Sequence, residues 1–378
     1  MPTDNKLDHI TIKGFRSLAD VDELALNDVN VLIGANGSGK SNFVEAFSFL
    51  GALRQANLKR YVAQAGGANQ LLHFGAQRTT EMSFRVSMND EVDQYKITLV
   101  PTDSDGLRPL AEAAYYWSDK LRYSTPDKED LTGGGVEAEI GNEYLPERVA
   151  QILKRCLATW SKYQFDDTSR RSPIRLTADV NDNRRLRTDG SNLAAFLYLL
   201  KEKHRDSLDV IQRTVRLVAP FFDSFILEPD ALNENKIRLQ WRHRGSDAYF
   251  DAAALSDGTL RFIALTTLFL QSGDLRPSIV LLDEPELGLH PYSIAVLSSI
   301  IKSVSTETQV LLATQSSTLL DHFEPSDVLV AERIDGGTRL NRLDADRLES
   351  WLRRYSLGQL WEKNELGGRP ASESRDVK

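Results

Sequence analysis

Residues 29–47, VNVLIGANGSGKSNFVEAF, constrain this chain more than any other stretch. The apolar run 29–33 has the length of a buried strand. Residues 34–41 then fit G-x-x-x-x-G-K-[ST], and Phe43, Phe47 and Leu50 follow at helical spacing. Strand, glycine loop and helix in that order are the context in which the pattern holds phosphate. Gly34, Gly37 and Gly39 permit the tight turn that aims backbone N–H groups inward. The helix starting near Lys40 adds free N–H groups and a positive dipole end. Lys40 has the reach for the β- and γ-phosphates, and the Ser41 hydroxyl suits Mg²⁺.

A second group of chemical residues lies far along the chain. Residues 277–291 read PSIVLLDEPELGLHP. The short apolar run predicts a buried parallel strand with Asp283 at its C-terminal end, where open α/β sheets bind ligands. Asp283 suits metal and Glu284 suits a water-activating base. Upstream, Leu255-Ser256-Asp257-Gly258-Thr259 opens an apolar helix, another start that can face an anion. Alone it is an ordinary helix N-cap. Downstream, residues 310–313 form a strand ending in Thr314-Gln315-Ser316, where a polar side chain can reach the γ-phosphate.

In that order the four elements resemble the ABC-type ATPase head of RecF, of structural-maintenance-of-chromosomes (SMC) proteins and of OLD-family defence ATPases. GANGSGKS is similar to Walker A, LSDGT to the LSGGQ signature, and IVLLDEPELGLHP to Walker B with its D-loop. ATQSS stands at the switch histidine. LDHITIKGFRSL resembles the opening strands, and WLRRYSLGQLWEKNELGG resembles the tail of a group of predicted ATPases. The resemblance implies an α/β P-loop fold of ABC type, a mixed sheet with an antiparallel β subdomain, a helical insertion and no long coiled coil. It implies ATP and Mg²⁺ as cofactors. Asn36, Gly37, Ser38, Gly39, Lys40, Ser41 and Asn42 would contact nucleotide in one chain, and Ser256 and Gly258 of a second chain would cap it. Ser41 and Asp283 would hold the metal. Glu284, Lys40 and Gln315 would be catalytic, and residues 287–290 would cross the dimer interface. Gln315 replaces a histidine and cannot carry its charge. Asp257 replaces a glycine and brings a negative charge toward phosphate. Gln77 or Gln70 stands as the candidate for the family's Q-loop glutamine. The implied partners are a homodimer or higher homo-oligomer, a separate effector such as a nuclease, and DNA.

The rest of the chain bounds these expectations. A net charge of -8 argues against a wholly basic nucleic-acid binder but allows a basic face. One cysteine, Cys156, excludes an intrachain disulfide and a thiolate zinc cluster. The N-terminus shows no apolar signal segment, and no apolar run approaches the roughly 20 residues of a membrane helix. Both point to a cytoplasmic protein that does not span a membrane. No histidine cluster or further carboxylate group marks a nuclease.

In chain order, residues 7–27 predict two strands joined around residues 14–17, with Lys13 and Arg16 as solvated charges. Strands are expected at 82–86 and 95–100, then a surface loop over 101–135. Within it Tyr115-Tyr116-Trp117 pack as strand residues or stack on bases. Helices are expected at 146–163 and 192–217, with strands returning at 224–228, 236–241 and 248–250. Arg170, Arg171, Arg175, Arg184, Arg185 and Arg187 form either a DNA-facing or regulatory surface or a loop balanced by its aspartates. The domain division is 1–100 and 221–368 for the two parts of the head, 101–220 for the insertion, and 369–378 for a disordered tail.

Overall fold

The computed structural model describes residues 6–117, 125–145, 148–169 and 171–368. Two six-stranded sheets organise it. The first is antiparallel throughout. It contains β1 (Leu7–Phe15), β2 (Leu18–Ala25), β4 (Met82–Met88), β5 (Asp93–Pro101), β6 (Leu107–Tyr116) and β7 (Asp127–Asp130), in the order β2-β1-β4-β5-β6-β7. The second contains β3 (Val29–Ile33), β8 (Trp160–Tyr163), β14 (Ile279–Asp283), β15 (Gln309–Thr314), β16 (Val328–Ile334) and β17 (Gly337–Arg342). Its order is β17-β16-β3-β15-β14-β8, and every pair but β16 with β17 is parallel. Two short ladders complete the strands. One joins β9 (Ala178–Asp179) to β11 (Lys236–Ile237), and the other is the three-stranded sheet β10 (Phe222–Ile226), β12 (Gln240–His243) and β13 (Tyr249–Asp251).

The parallel strands are apolar on both faces because both faces are covered. Side chains alternate across a strand, so one strand feeds two cores. Leu32, Leu281, Leu311 and Leu329 point into a core shared with the first sheet and helix α1 (Lys40–Arg54). Val31, Ile33, Val280, Leu282, Val310 and Leu312 point the other way. There they meet α5 (Leu193–Lys203), α6 (Arg205–Val218), α7 (Asp257–Leu270) and α8 (Pro291–Val304). Helix α1 is sandwiched between the sheets, which is why Phe43, Val44, Phe47, Phe49, Leu50 and Leu53 are all buried along it.

Two expectations need correction. Residues 101–135 are not all loop, since β6 and β7 extend the first sheet from within them. Pro109 conceals the strand, because proline cannot donate to a ladder and is tolerated at edges and bulges. Here it stands opposite Leu99 where the β5–β6 register slips. Tyr115 and Tyr116 lie on β6, as the strand alternative required. The expected helix 146–163 is shorter than read. Helix α4 (Arg148–Leu157) stops, and Trp160–Tyr163 enters the second sheet as its edge strand.

Other readings hold. The helical stretch 192–217 is present, as two helices, α5 and α6, that meet at His204. Lys13 answers Asp20 and Asp22, both at 3.2 Å. Cys156 is buried and its thiol is pushed up to about 11 by burial, which leaves it inert at neutral pH. The expected tail 369–378 and Arg170 lie outside the described residues. Among the described residues no helix is long and apolar enough to cross a membrane.

Candidate functional site

The C-terminal ends of β3, β14 and β15 meet at one cleft of 320 Å³. Parallel strands put their loops at the same end, so residues far apart in sequence converge there. Its walls are Ala35, Asn36, Gly37, Gly39, Lys40, Ser41 and Asn42 from the glycine loop, Asp283 and Glu284 from β14, Gln315 after β15, and Arg333 from β16. Of the expected loop residues only Ser38 turns away. Its hydroxyl is buried and has no hydrogen-bond partner.

The loop is held from below. Gly39 has φ 103, a left-handed conformation that favours glycine. A Cβ there would lie 1.9 Å from Thr338 Oγ1 and 2.7 Å from Ser17 Oγ. Thr338 Oγ1 donates to the Ser38 carbonyl at 2.8 Å, and Asn42 Nδ2 donates to Ser17 Oγ at 2.7 Å. The turn between β1 and β2 thus buttresses the start of α1. From the other end of the chain, the Gly368 carbonyl accepts the Ala35 amide at 2.9 Å.

The donors suit a triphosphate. No side chain caps the start of α1, so its first-turn amides remain open to an anion. Lys40 is buried and donates to the Gly34 and Ala35 carbonyls at 2.6 and 3.1 Å. Burial pushes its ammonium below the usual value, and Asp283 and Glu284 push it back up. The Ser41 hydroxyl and the Asp283 carboxylate share the cleft, a hard oxygen pair that fits Mg²⁺. Burial raises the Asp283 carboxyl, opposed first by Lys162 on the neighbouring strand.

Glu284 adopts φ 46, which costs a non-glycine residue about 1–3 kcal/mol. Two bonds hold it there. Its amide donates to the Ala313 carbonyl at 2.7 Å, and Gln315 Nε2 donates to its Oε1 at 2.7 Å. The carboxylate is therefore aimed by the residue at the switch position. The next acid, Glu286, is buried; Thr314 Oγ1 donates to its Oε1. Its other oxygen has no partner, and burial raises this carboxyl.

Ser256 and Gly258 do not line their own chain's cleft. Ser256 caps α7, its Oγ accepting the Thr259 amide at 3.2 Å, and is exposed. A Cβ on Gly258 would sit 2.2 Å from the Gly288 carbonyl, so the signature helix packs against its own D-loop where only glycine fits. Arg261 adds a second tie, from its guanidinium to the Leu287 carbonyl.

The extra charge of Asp257 has an answer. Arg175 Nη2 donates to Asp257 Oδ1 at 2.7 Å. The same guanidinium reaches the Thr168 carbonyl at 2.7 Å, the Leu255 carbonyl at 3.2 Å and the Ala252 carbonyl. Arg175 is buried and structural, not part of a DNA-facing surface. Arg175→Ala should cost about 3 kcal/mol through the lost charge-assisted bonds. Urea unfolding checks this, and a change inside about 0.5 kcal/mol, the range of ordinary surface substitutions, would remove that role.

One polar residue next to the cleft, though not among its walls, escapes a sequence reading. Tyr163 pairs with Leu282, so the next residue, Gln164, falls level with Asp283 at the mouth of the sheet. Gln164 is exposed, and its amide donates to the Thr188 carbonyl at 2.8 Å. Neither Gln70 nor Gln77 lines the cleft. The available signal was the β-rich run Trp160–Tyr163, hidden by the helix before it.

Comparison with known proteins gives the family and the fold. The family model described as "AAA domain, putative AbiEii toxin, Type IV TA system" matches residues 29–321. The DNA replication and repair protein RecF of Lacticaseibacillus casei (strain BL23) is 35% identical over 72 residues, 19% of this chain and 18% of that protein. RecF of Pseudarthrobacter chlorophenolicus is 39% identical over 72 residues, 19% of this chain and 16% of that protein. The chain thus spans less than a fifth of the length of the curated relatives it matches. Among solved structures, an SMC head bound to the C-terminal winged-helix domain of ScpA aligns with TM-score 0.59 at 16% identity, covering 91% of this chain and 99% of that one. A second SMC head, with an extended coiled coil and bound to the C-terminal domain of ScpA derived from Pyrococcus furiosus, gives 0.57 at 14% identity, with 92% and 98% covered. The SMC heads show the fold, and the family model covers well over half of the chain: this protein belongs to the family described as AAA domain, putative AbiEii toxin, Type IV TA system.

Proposed function

We propose that this protein is an ATP-hydrolysing switch that dimerises head to head around two ATP–Mg²⁺ and so controls a DNA-associated or phage-defence effector, a separate nuclease chain. The observation that carries the reading is the convergence of Lys40, Ser41, Asp283, Glu284 and Gln315 on one cleft. Lys40 and the first-turn amides of α1 would bind the phosphates. Ser41 and Asp283 would hold Mg²⁺, which neutralises charge on the β- and γ-oxygens. Glu284 would take a proton from water as the water oxygen attacks the γ-phosphorus and the bond to the β–γ bridging oxygen breaks. Gln315 would hold that carboxylate, and Gln164 would approach the metal side of the same mouth.

The dimer reading is supported by what surrounds the signature. Ser256 is exposed, and so are two large side chains of the following segment, Leu287 at 47% and Tyr292 at 53%. Ser256→Arg should leave ATP binding to the monomer intact and block dimerisation. Light scattering in ATP with the Glu284→Gln background tests it, and persistent dimers would remove the trans-signature arrangement. The RecF relatives support a DNA-repair setting, and the family description, which includes a toxin–antitoxin system, supports a defence setting. A non-hydrolysing scaffold is the second reading. The strained and doubly held Glu284 speaks against it, because an assembly site needs no aimed base.

A further inference from the structure

A basic groove of 750 Å³ runs beside β8, the edge strand of the second sheet. Its walls are the outer face of α1 at Gly51 and Arg54, β8 at Trp160 and Lys162, and residues 182–189 with Arg184, Arg185 and Arg187. Three of the arginines read as one cluster in the sequence are therefore brought to α1, while Arg175 is taken inside.

The charges in the groove do not balance. Asp182 holds Arg187 at 2.5 Å, and Glu45 of α1 answers Lys162 at 3.6 Å. Asp189, the other acid in the lining, accepts the Ser191 amide at 3.0 Å within its own turn. Among the described residues Arg54, Arg184 and Arg185 form no ion pair, and Arg54 Nε is buried without a hydrogen-bond partner. Arg54 and Arg185 lie close enough to repel, which together with burial lowers the Arg54 pKa. Like charges gathered without a counter-ion raise the energy of the folded state, and an anion relieves it. The chain carries a net charge of -8, so this excess is local and not a matter of composition.

The lining favours phosphate over an acidic peptide. Among the described residues no exposed large hydrophobic side chain borders the groove; of the apolar ones in its lining, Phe47, Leu186 and Leu281 are buried and Trp160 is half-buried. A docked peptide draws its affinity from apolar anchors. A phosphate backbone needs cations and donors alone. A Cβ on Gly51 would meet nothing within 4 Å, which leaves that wall open. We propose that the groove between α1 and residues 182–189 binds the phosphate backbone of a nucleic-acid strand, and that its occupancy is felt at the ATP cleft through Lys162 and α1.

The coupling rests on the ATP-switch reading, whereas the binding does not. Lys162 pairs with Leu281, two residues before Asp283, and α1 begins at Lys40 and ends at Arg54. Anisotropy of a short labelled single-stranded oligonucleotide, with full-length protein and no ATP, tests the groove directly. Arg184→Glu/Arg185→Glu should weaken binding about tenfold or more and flatten the salt dependence by about 1.4 in log–log slope, two phosphate contacts on a single strand. Arg242→Glu/Arg244→Glu, on and just after β12, should leave binding unchanged, and circular dichroism should match the parent for both. Equal binding by parent and Arg184→Glu/Arg185→Glu overturns the site, as does equal displacement of the oligonucleotide by polyglutamate of matched charge. Lys40→Ala should still bind the oligonucleotide, which separates failure of the groove from failure of the ATP reading. The oligonucleotide should alter the ATPase rate of the parent and not of the reversal variant; a rate indifferent to it in both overturns the coupling.

Discussion

Lys40→Ala is expected to weaken ATP binding by roughly a hundredfold or more, the scale of removing one member of a buried charge contact. Lys40 is the cation built into the loop itself, buried at the start of α1 and held against the Gly34 and Ala35 carbonyls. Two acids, Asp283 and Glu284, stand near enough to stabilise its charged form against burial. Without the ammonium, those carboxylates would face the triphosphate with one fewer positive charge between them. Titration of a fluorescent ATP analogue measures the loss. Because the side chain also braces the turn, thermal unfolding without nucleotide must accompany it. An unchanged Kd in a folded variant would remove the cleft as the nucleotide site.

The second large effect is on turnover. Glu284→Gln should lower kcat by about 10²–10⁴, the contribution of a positioned general base. ATP affinity should stay close to that of the parent, since the substitution keeps the size of the side chain and leaves the loop and Lys40 in place. The substitution isolates proton transfer from geometry. An amide oxygen at the same place can still accept from Gln315 Nε2, so the left-handed backbone and its two supporting bonds remain available. Stopped turnover with retained binding should also make ATP-bound dimers accumulate. Phosphate release under single-turnover conditions reads the first part, and light scattering reads the second. Parent-like turnover would shift the weight to the scaffold reading.

The legible parts of this site share a property: each is a short run whose local pattern and chemical residues coincide. Residues 29–41 and 279–284 carry strand, turn and reactive group together, so both strands and the residues at their ends follow from the string. Trp160–Tyr163 carries no such mark. It is four residues long, begins three residues after an amphipathic helix ends, and becomes a strand only because β14 offers an edge. Gln164 gains its place from that pairing, which is why glutamines nearer the phosphate loop looked equally suitable. Pro109 hid β6 for a different reason, since a bulge that excuses a proline is a property of the partner strand.

The phosphate loop, the acidic strand end, the polar residue after β15 and the class of fold can all be read from the order of the residues alone. Those features depend on residues within about one element of each other, where periodicity and backbone preference suffice. Which charges are neutralised and which stay open depends on the packing of the folded chain. Arg175 and Arg185 look alike in a row of arginines. One is drawn beneath the signature helix to neutralise Asp257, and the other is left beside α1 with Arg54 and no counter-ion. Burial and partners settle that difference, and both arise from contacts across some 80 to 130 residues of chain.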